Sequence, residues 1–157
     1  MNTITRRATL GALALPALFG RASAQPVRLR FAHPHPDSDS WNRASQMFAR
    51  LVTERSNGAL QVQVFGNGAL GSDPTTIAAA RGGTLDFVLT GNPFFTGLAP
   101  KLNVLDLPFL FRDRRQVTAV LDGPIGRGLR GELDGANLKV IGFWDIGFRN
   151  LTNSRRA

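Results

Sequence analysis

Three groups of residues in this chain have types and spacings that could do chemistry. Arg149 stands in GFWDIGFRN, residues 142–150, where an apolar run gives way to a single arginine. A guanidinium is seldom buried alone, and its planar fork can grip a carboxylate through two parallel hydrogen bonds, which lysine cannot do. Among Trp144, Phe148 and Asn150, that chemistry is anion recognition in a partly apolar setting. An ordinary exposed loop arginine is the competing reading, and on the residues alone the two stand level.

The second group is GNGALG, where Gly66, Gly68 and Gly71 match the G-x-G-x-x-G spacing of a dinucleotide-binding turn, with Asp86 further on. Two details oppose that reading. Pro74 fits the first turn of the next helix, so Asp73 would sit at a helix N-terminus where a pyrophosphate needs positive potential. Asp86 also falls near the start of its strand, whereas a ribose-binding acid belongs at the carboxyl end. The loop reads as a structural turn, with a nucleotide-binding α/β enzyme as the alternative. The third group is His33 and His35 with Asp37 and Asp39. Two histidines on a proline loop, without a third ligand elsewhere, make a poor zinc cage. They read as loop residues, with His33 the one to touch a ligand. The chain has no G-x-S-x-G, no cysteine and no His-Glu-x-x-His, so catalysis has no evident nucleophile or metal motif. No cofactor and no metal are expected.

The elements that position these groups alternate. VRLRFA, residues 27–32, reads as a strand opening onto the loop HPHPDSDS. A helix follows with Ser38 as N-cap and Trp41, Ala44, Phe48, Leu51 and Val52 on one face. Asn57-Gly58 ends it, since both tolerate the left-handed conformation. LQVQVF, residues 60–65, alternates strictly and is a second strand. Asp73-Pro74 starts a second helix, and LDFVLT, residues 85–90, is a third strand. An apolar, proline-punctuated stretch over 98–111 reads as mostly buried, including Phe109 and Phe111. Helical stretches follow near 114–121 and 124–133, and LKVIGFW, residues 138–144, is a fourth strand. Strands alternating with helices give an α/β layer with a mainly parallel sheet. Ligands bind such sheets beyond the carboxyl ends of the strands. Arg149, His33 and Thr90 all fall on that rim.

Composition narrows the classes. Arg6 and Arg7, a short apolar run from Ala8 to Phe19, and Ala22-Ser23-Ala24 form an export signal over residues 1–24. Its apolar run is shorter than the roughly 20 residues a membrane span needs. The general secretory route fits, and Arg6-Arg7 also allows the twin-arginine route. Cleavage after Ala24 would leave residues 25–157 as one domain. The signal holds Arg6, Arg7 and Arg21 and no acid, so the formal surplus falls from +8 to about +5. The remaining basic residues are dispersed, without interleaved aromatics. Nucleic-acid binding is therefore not expected, and a cationic surface attracting anions is a further alternative.

RFAHPHPDSDSW, VFGNGALGSD, GTLDFVLTG, LDLPFLFRDRRQ, VLDGPIGRGL and GFWDIGFRNLTNS occur here in one order. In that order they resemble the solute receptors of tripartite ATP-independent periplasmic (TRAP) transporters, the dicarboxylate-receptor (DctP) branch in particular. The resemblance implies a periplasmic-binding-protein-like lobe with a mainly parallel sheet flanked by helices. It implies a carrier rather than an enzyme, periplasmic, which captures a small carboxylate and hands it to the transporter's membrane permease subunits. Arg149 matches the family arginine that grips the ligand carboxylate. His33, Thr90, Asn92, Trp144 and Phe148 would face the ligand beside it. Family members have two lobes, and residues 25–157 correspond to the N-terminal one. The resemblance further implies that later sequence returns to complete this lobe's sheet, so the chain reads as truncated before the second lobe.

Overall fold

A computed structural model of the chain describes residues 25–148 and Ser154. The export signal read over residues 1–24, and Arg149 itself, lie outside the described residues.

Strand β1 (Val27–Ala32) is the centre of a parallel sheet ordered β2-β1-β3. Strand β2 (Leu60–Phe65) pairs with it from Val27 opposite Leu60 to Ala32 opposite Phe65. Strand β3 (Phe87–Val88) pairs on the other side, with Phe31 opposite Phe87. Parallel neighbours need a crossover. Helix α1 (Ser40–Arg55) supplies the first and helix α2 (Asp73–Arg81) the second. The alternation of LQVQVF turns Leu60, Val62 and Val64 inward and leaves Gln61 and Gln63 exposed. Phe31 packs edge-on against Phe48 of α1 and tilted against Phe87, at centroid distances of 5.6 and 5.9 Å.

The cap of α1 is Asp39 rather than the expected Ser38. Its carboxylate accepts the Trp41 amide N–H at 2.9 Å, satisfying a donor the helix leaves free. Ser45 rather than Ala44 takes the inner face; its buried hydroxyl donates to the Trp41 carbonyl at 2.8 Å. Asn57 and Gly58 do end the helix, at φ 51° and 80°. The Trp41 N–H holds the Asp39 carboxyl below its ordinary range; burial opposes this, and Ser40 and His35 reinforce it. A carboxyl whose folded pKa is depressed stabilises the fold fully above its unfolded pKa, and that contribution is lost as pH falls through the folded value. Carboxyl-carbon NMR should therefore show Asp39 titrating below the ordinary aspartate midpoint of about 3.9. Asp39→Asn should keep the cap and remove its pH dependence.

The second half of the chain builds a separate apolar cluster. Two 3-10 turns, Asn92–Phe95 and Pro100–Asp106, lead from the sheet to helices α3 (Arg114–Leu121) and α4 (Pro124–Arg130). A further 3-10 turn, Gly131–Ala136, ends at Asn137 with φ 59°. Ala99, Leu102, Leu129 and Leu133 form the buried centre, with Leu138, Val140 and Phe143 packed against it.

Two expectations are corrected here. Residues 138–144 do not form a fourth strand. Leu138, Val140 and Phe143 are held by the cluster, but no ladder joins the segment to a neighbour among the described residues. A strand exists only where a partner takes its N–H and C=O groups, and apolar alternation alone cannot supply one. Phe109 is not buried but 98 % exposed, at φ 60°. It sits in the tight turn after Pro100–Asp106, where Leu110 N–H reaches the Leu107 carbonyl, and the turn throws its ring outward. Phe111 is half-buried.

Candidate functional site

The carboxyl end of β3 opens onto a large cavity of about 1080 Å³, which Trp41 of α1 also lines. Its walls are the end of β3, the turn around Pro108, and the irregular strip 138–148. Thr90, Asn92, Trp144 and Phe148 all line it, and Phe148 is the last residue described before Arg149. Four of the six expected ligand residues thus line one space.

Their polar groups are not all free. The Thr90 hydroxyl donates to the Asp73 carboxylate at the start of α2, tying the end of β3 back to the preceding helix. The Asn92 side-chain N–H donates to the Leu102 carbonyl at 2.9 Å and to Asp106. What remains for a ligand there is the Asn92 oxygen and backbone. Trp144 packs edge-on against Phe31 at 6.2 Å, so the aromatic floor of the cavity is continuous with the sheet core.

His33 is placed differently. It is 2 % exposed and does not line the cavity. Its Nε2 pairs with Asn42 Oδ1 at 3.2 Å, its ring packs edge-on to Phe31, and its Nδ1 is buried without a partner among the described residues. His35 pairs instead with Asp39, 3.1 Å from its carboxylate, and lies over Trp41 at 4.1 Å.

The glycine loop is used up by the protein itself. Asn67 N–H donates to His35 O at 2.8 Å and Gly68 N–H to His33 O at 3.2 Å, while Ala69 and Gly71 bond within the loop. A phosphate-binding turn must leave such donors free. Gly66 is required for a different reason: a Cβ there would lie 2.9 Å from the His33 ring. The loop buttresses the histidine turn and offers no nucleotide cradle.

Sequence reasoning placed Trp41 simply in the core. It is 6 % exposed, yet it also lines the cavity, and its indole N–H is buried without an acceptor among the described residues. The available signal was its position in the first turn after the β1 loop, which lies on the strand-end rim. Arg114 and Arg130 were also passed over. Arg130 lies 5.9 Å from the Phe143 ring, and Arg114 Nε lies 3.3 Å from Asp145, so both helices brace the strip that leads to Arg149.

Residues 31–157 match the bacterial extracellular solute-binding protein family 7. The 2,3-diketo-L-gulonate-binding periplasmic protein of Escherichia coli K12 is 40 % identical over 139 residues, covering 88 % of this chain and 42 % of that protein. A TRAP periplasmic solute-binding protein from Ochrobactrum anthropi superimposes with TM-score 0.81 at 32 % identity, over 84 % of this chain and 41 % of that one. The sugar acid binding protein of Advenella mimigardefordensis, solved with galactonate, gives TM-score 0.79 at 37 % identity, over 84 % and 43 %. The chain therefore spans about two-fifths of the length of the relatives it matches.

Proposed function

Because the chain belongs to the bacterial extracellular solute-binding protein family 7, we propose that it is a ligand-contacting lobe of a TRAP-type receptor. That receptor captures an organic acid in the periplasm and delivers it to membrane permease subunits. Arg149 is the carboxylate anchor, with Thr90, Asn92, Trp144 and Phe148 around the guest. His33 supports the rim from beneath.

One observation carries this reading: four expected ligand residues from separate parts of the sequence meet at one cavity, immediately before Arg149. The ligands of these relatives narrow the class. One is named for 2,3-diketo-L-gulonate and another holds galactonate. Both are sugar acids, with a carboxylate for the guanidinium and hydroxyls for neighbouring polar groups. A polyhydroxylated monocarboxylate is the proposed guest, ahead of a short dicarboxylate.

Residues 1–157 alone should bind it feebly. A hydrogen bond to a charged group contributes about 1.5–3 kcal/mol, whereas micromolar affinity needs about 8 kcal/mol. In a two-lobed receptor the second lobe would exclude water and make closure the state the ligand selects. NMR titration with galactonate, 2,3-diketo-L-gulonate, succinate and a dinucleotide is the test. The expected result is saturable shifts around the cavity, strongest for the sugar acids and with dissociation constants above micromolar. Submicromolar one-to-one binding would overturn the single-lobe account. Saturation by the dinucleotide alone would revive the nucleotide alternative.

A further inference from the structure

We infer that Asp106, held by Asn92 on the cavity wall, is a specificity-determining residue that admits a hydroxyl and rejects a second carboxylate. The inference rests on the proposed sugar-acid reading and names the residue that chooses between a monoacid and the matching diacid.

The hydrogen bonds beyond the end of β3 fix where the protons lie. The Asn92 amide has two N–H donors, and both are spent. One goes to the Leu102 carbonyl at 2.9 Å and the other to a carboxylate oxygen of Asp106, which ends the turn Pro100–Asp106. The amide has only one workable orientation, because turned over its oxygen would face two acceptors. Leu102 is 2 % exposed at the centre of the apolar cluster, so Asn92 is fixed from within. The Thr90 hydroxyl hydrogen is likewise spent on Asp73. Thr90, Asn92 and Asp106 all line the cavity. Their side chains leave a guest only acceptors: the Thr90 oxygen, the Asn92 oxygen and the second Asp106 oxygen.

An acceptor-only wall separates guests by whether they bring a proton. A hydroxyl does, and its bond to a carboxylate is charge-assisted. A guest carboxylate at neutral pH brings none, and it sets a like charge beside Asp106. Among the described residues no cation stands within 4 Å of Asp106 to offset that repulsion. Two other charges on the cavity wall are already paired, Asp145 with Arg114 and Lys139 with Asp134.

A rival account gives the choice to Arg112, which lines the same cavity and would favour a diacid as a second anchor. Arg112 and Asp106 are both exposed, but the Asp106 carboxylate is held in place by Asn92. The two accounts predict opposite orders for one pair of guests. Galactarate differs from galactonate only in ending in a carboxylate where galactonate ends in a hydroxymethyl group.

The test titrates both acids into the full chain by NMR at low ionic strength and reads the ratio of their dissociation constants. The parent should hold galactonate about threefold to tenfold more tightly. Asp106→Asn keeps an oxygen for the Asn92 N–H and removes the charge, so the ratio should fall to near one, chiefly through tighter galactarate. Added salt should narrow the ratio in the parent itself, by screening, and Arg112→Gln should not lower it. A parent that prefers galactarate, or a ratio that Asp106→Asn and salt leave unmoved, would overturn the inference. Saturable galactonate binding with an unmoved ratio removes Asp106 alone and leaves the sugar-acid reading standing. If neither acid saturates the parent, both fall.

Discussion

Arg149→Ala is expected to remove carboxylate binding, weakening galactonate by at least about tenfold. One hydrogen bond to a charged group, about 1.5–3 kcal/mol, corresponds to roughly 10- to 150-fold, and a fork makes two such bonds. Arg149→Lys should recover little. It restores the charge but not the parallel pair of donors, and a strongly hydrated ammonium is less willing to enter a partly apolar wall. That wall is made by Trp144 and Phe148, with Phe31 behind Trp144. Here a large loss of affinity is expected without a loss of fold, since the buried cluster is centred on Ala99, Leu102, Leu129 and Leu133. Parallel titrations of parent, alanine and lysine chains, each checked by thermal unfolding, give the answer. An alanine chain that binds like its parent removes Arg149 from the site.

The first half of the fold was legible because its signals are local. LQVQVF declares a strand within its own six residues. Asp73-Pro74 and Asn57-Gly58 punctuate helices through backbone preferences that need no tertiary contact. The errors lie where a distant partner decides. Residues 138–144 have the composition of a strand, but whether they form one depends on a neighbouring backbone that their own sequence cannot specify. Phe109 lies in an apolar run, yet a turn at Phe109 itself leaves it exposed.

The site divides in the same way. Thr90 lines the cavity at the end of β3, as the strand-end rule expects, whereas Asn92, Trp144 and Phe148 line it on turns and an irregular strip that the rule does not describe. His33 obeyed that rule in sequence, but Gly66 and Asn42 close over its ring. Trp41 was hidden by a helical pattern that explains a core position equally well. The Arg114–Asp145 tie joins residues on separate elements, and no periodicity relates them. What the strand-end rule points to is a candidate ligand space; the groups that brace its walls come from wherever the fold happens to bring them.

Gly126→Ala should be the most damaging single methyl in the described fold. Two effects oppose each other. Alanine is favoured over glycine in a helix by about 1 kcal/mol, which would stabilise α4. However, a Cβ at residue 126 would lie 1.8 Å from the Leu121 carbonyl oxygen and 2.6 Å from its Cα. Those are backbone atoms at the end of α3, so no rotamer change relieves the contact and the α3–α4 corner must open. Overpacking typically costs about 1–3 kcal/mol and more where the backbone must move. Opening the corner also draws on Leu129 and Leu133, which α4 and its following turn place in the buried cluster. The clash wins, and a net loss of about 3 kcal/mol or more is expected against a total near 5–15 kcal/mol for a domain. Gly128 is the control within the same helix. It is exposed, and a Cβ there meets nothing within 4 Å. Gly128→Ala should therefore be neutral or stabilising by up to about 1 kcal/mol. Urea unfolding of the two variants decides, and equal effects would mean that the corner is not packed as described. Because Arg114 on α3 contacts Asp145 and Arg130 on α4 contacts Phe143, Gly126→Ala should also loosen the strip 138–148 on the cavity wall. Damage to the corner and damage to the site would then appear together, whereas Gly128→Ala would leave both intact.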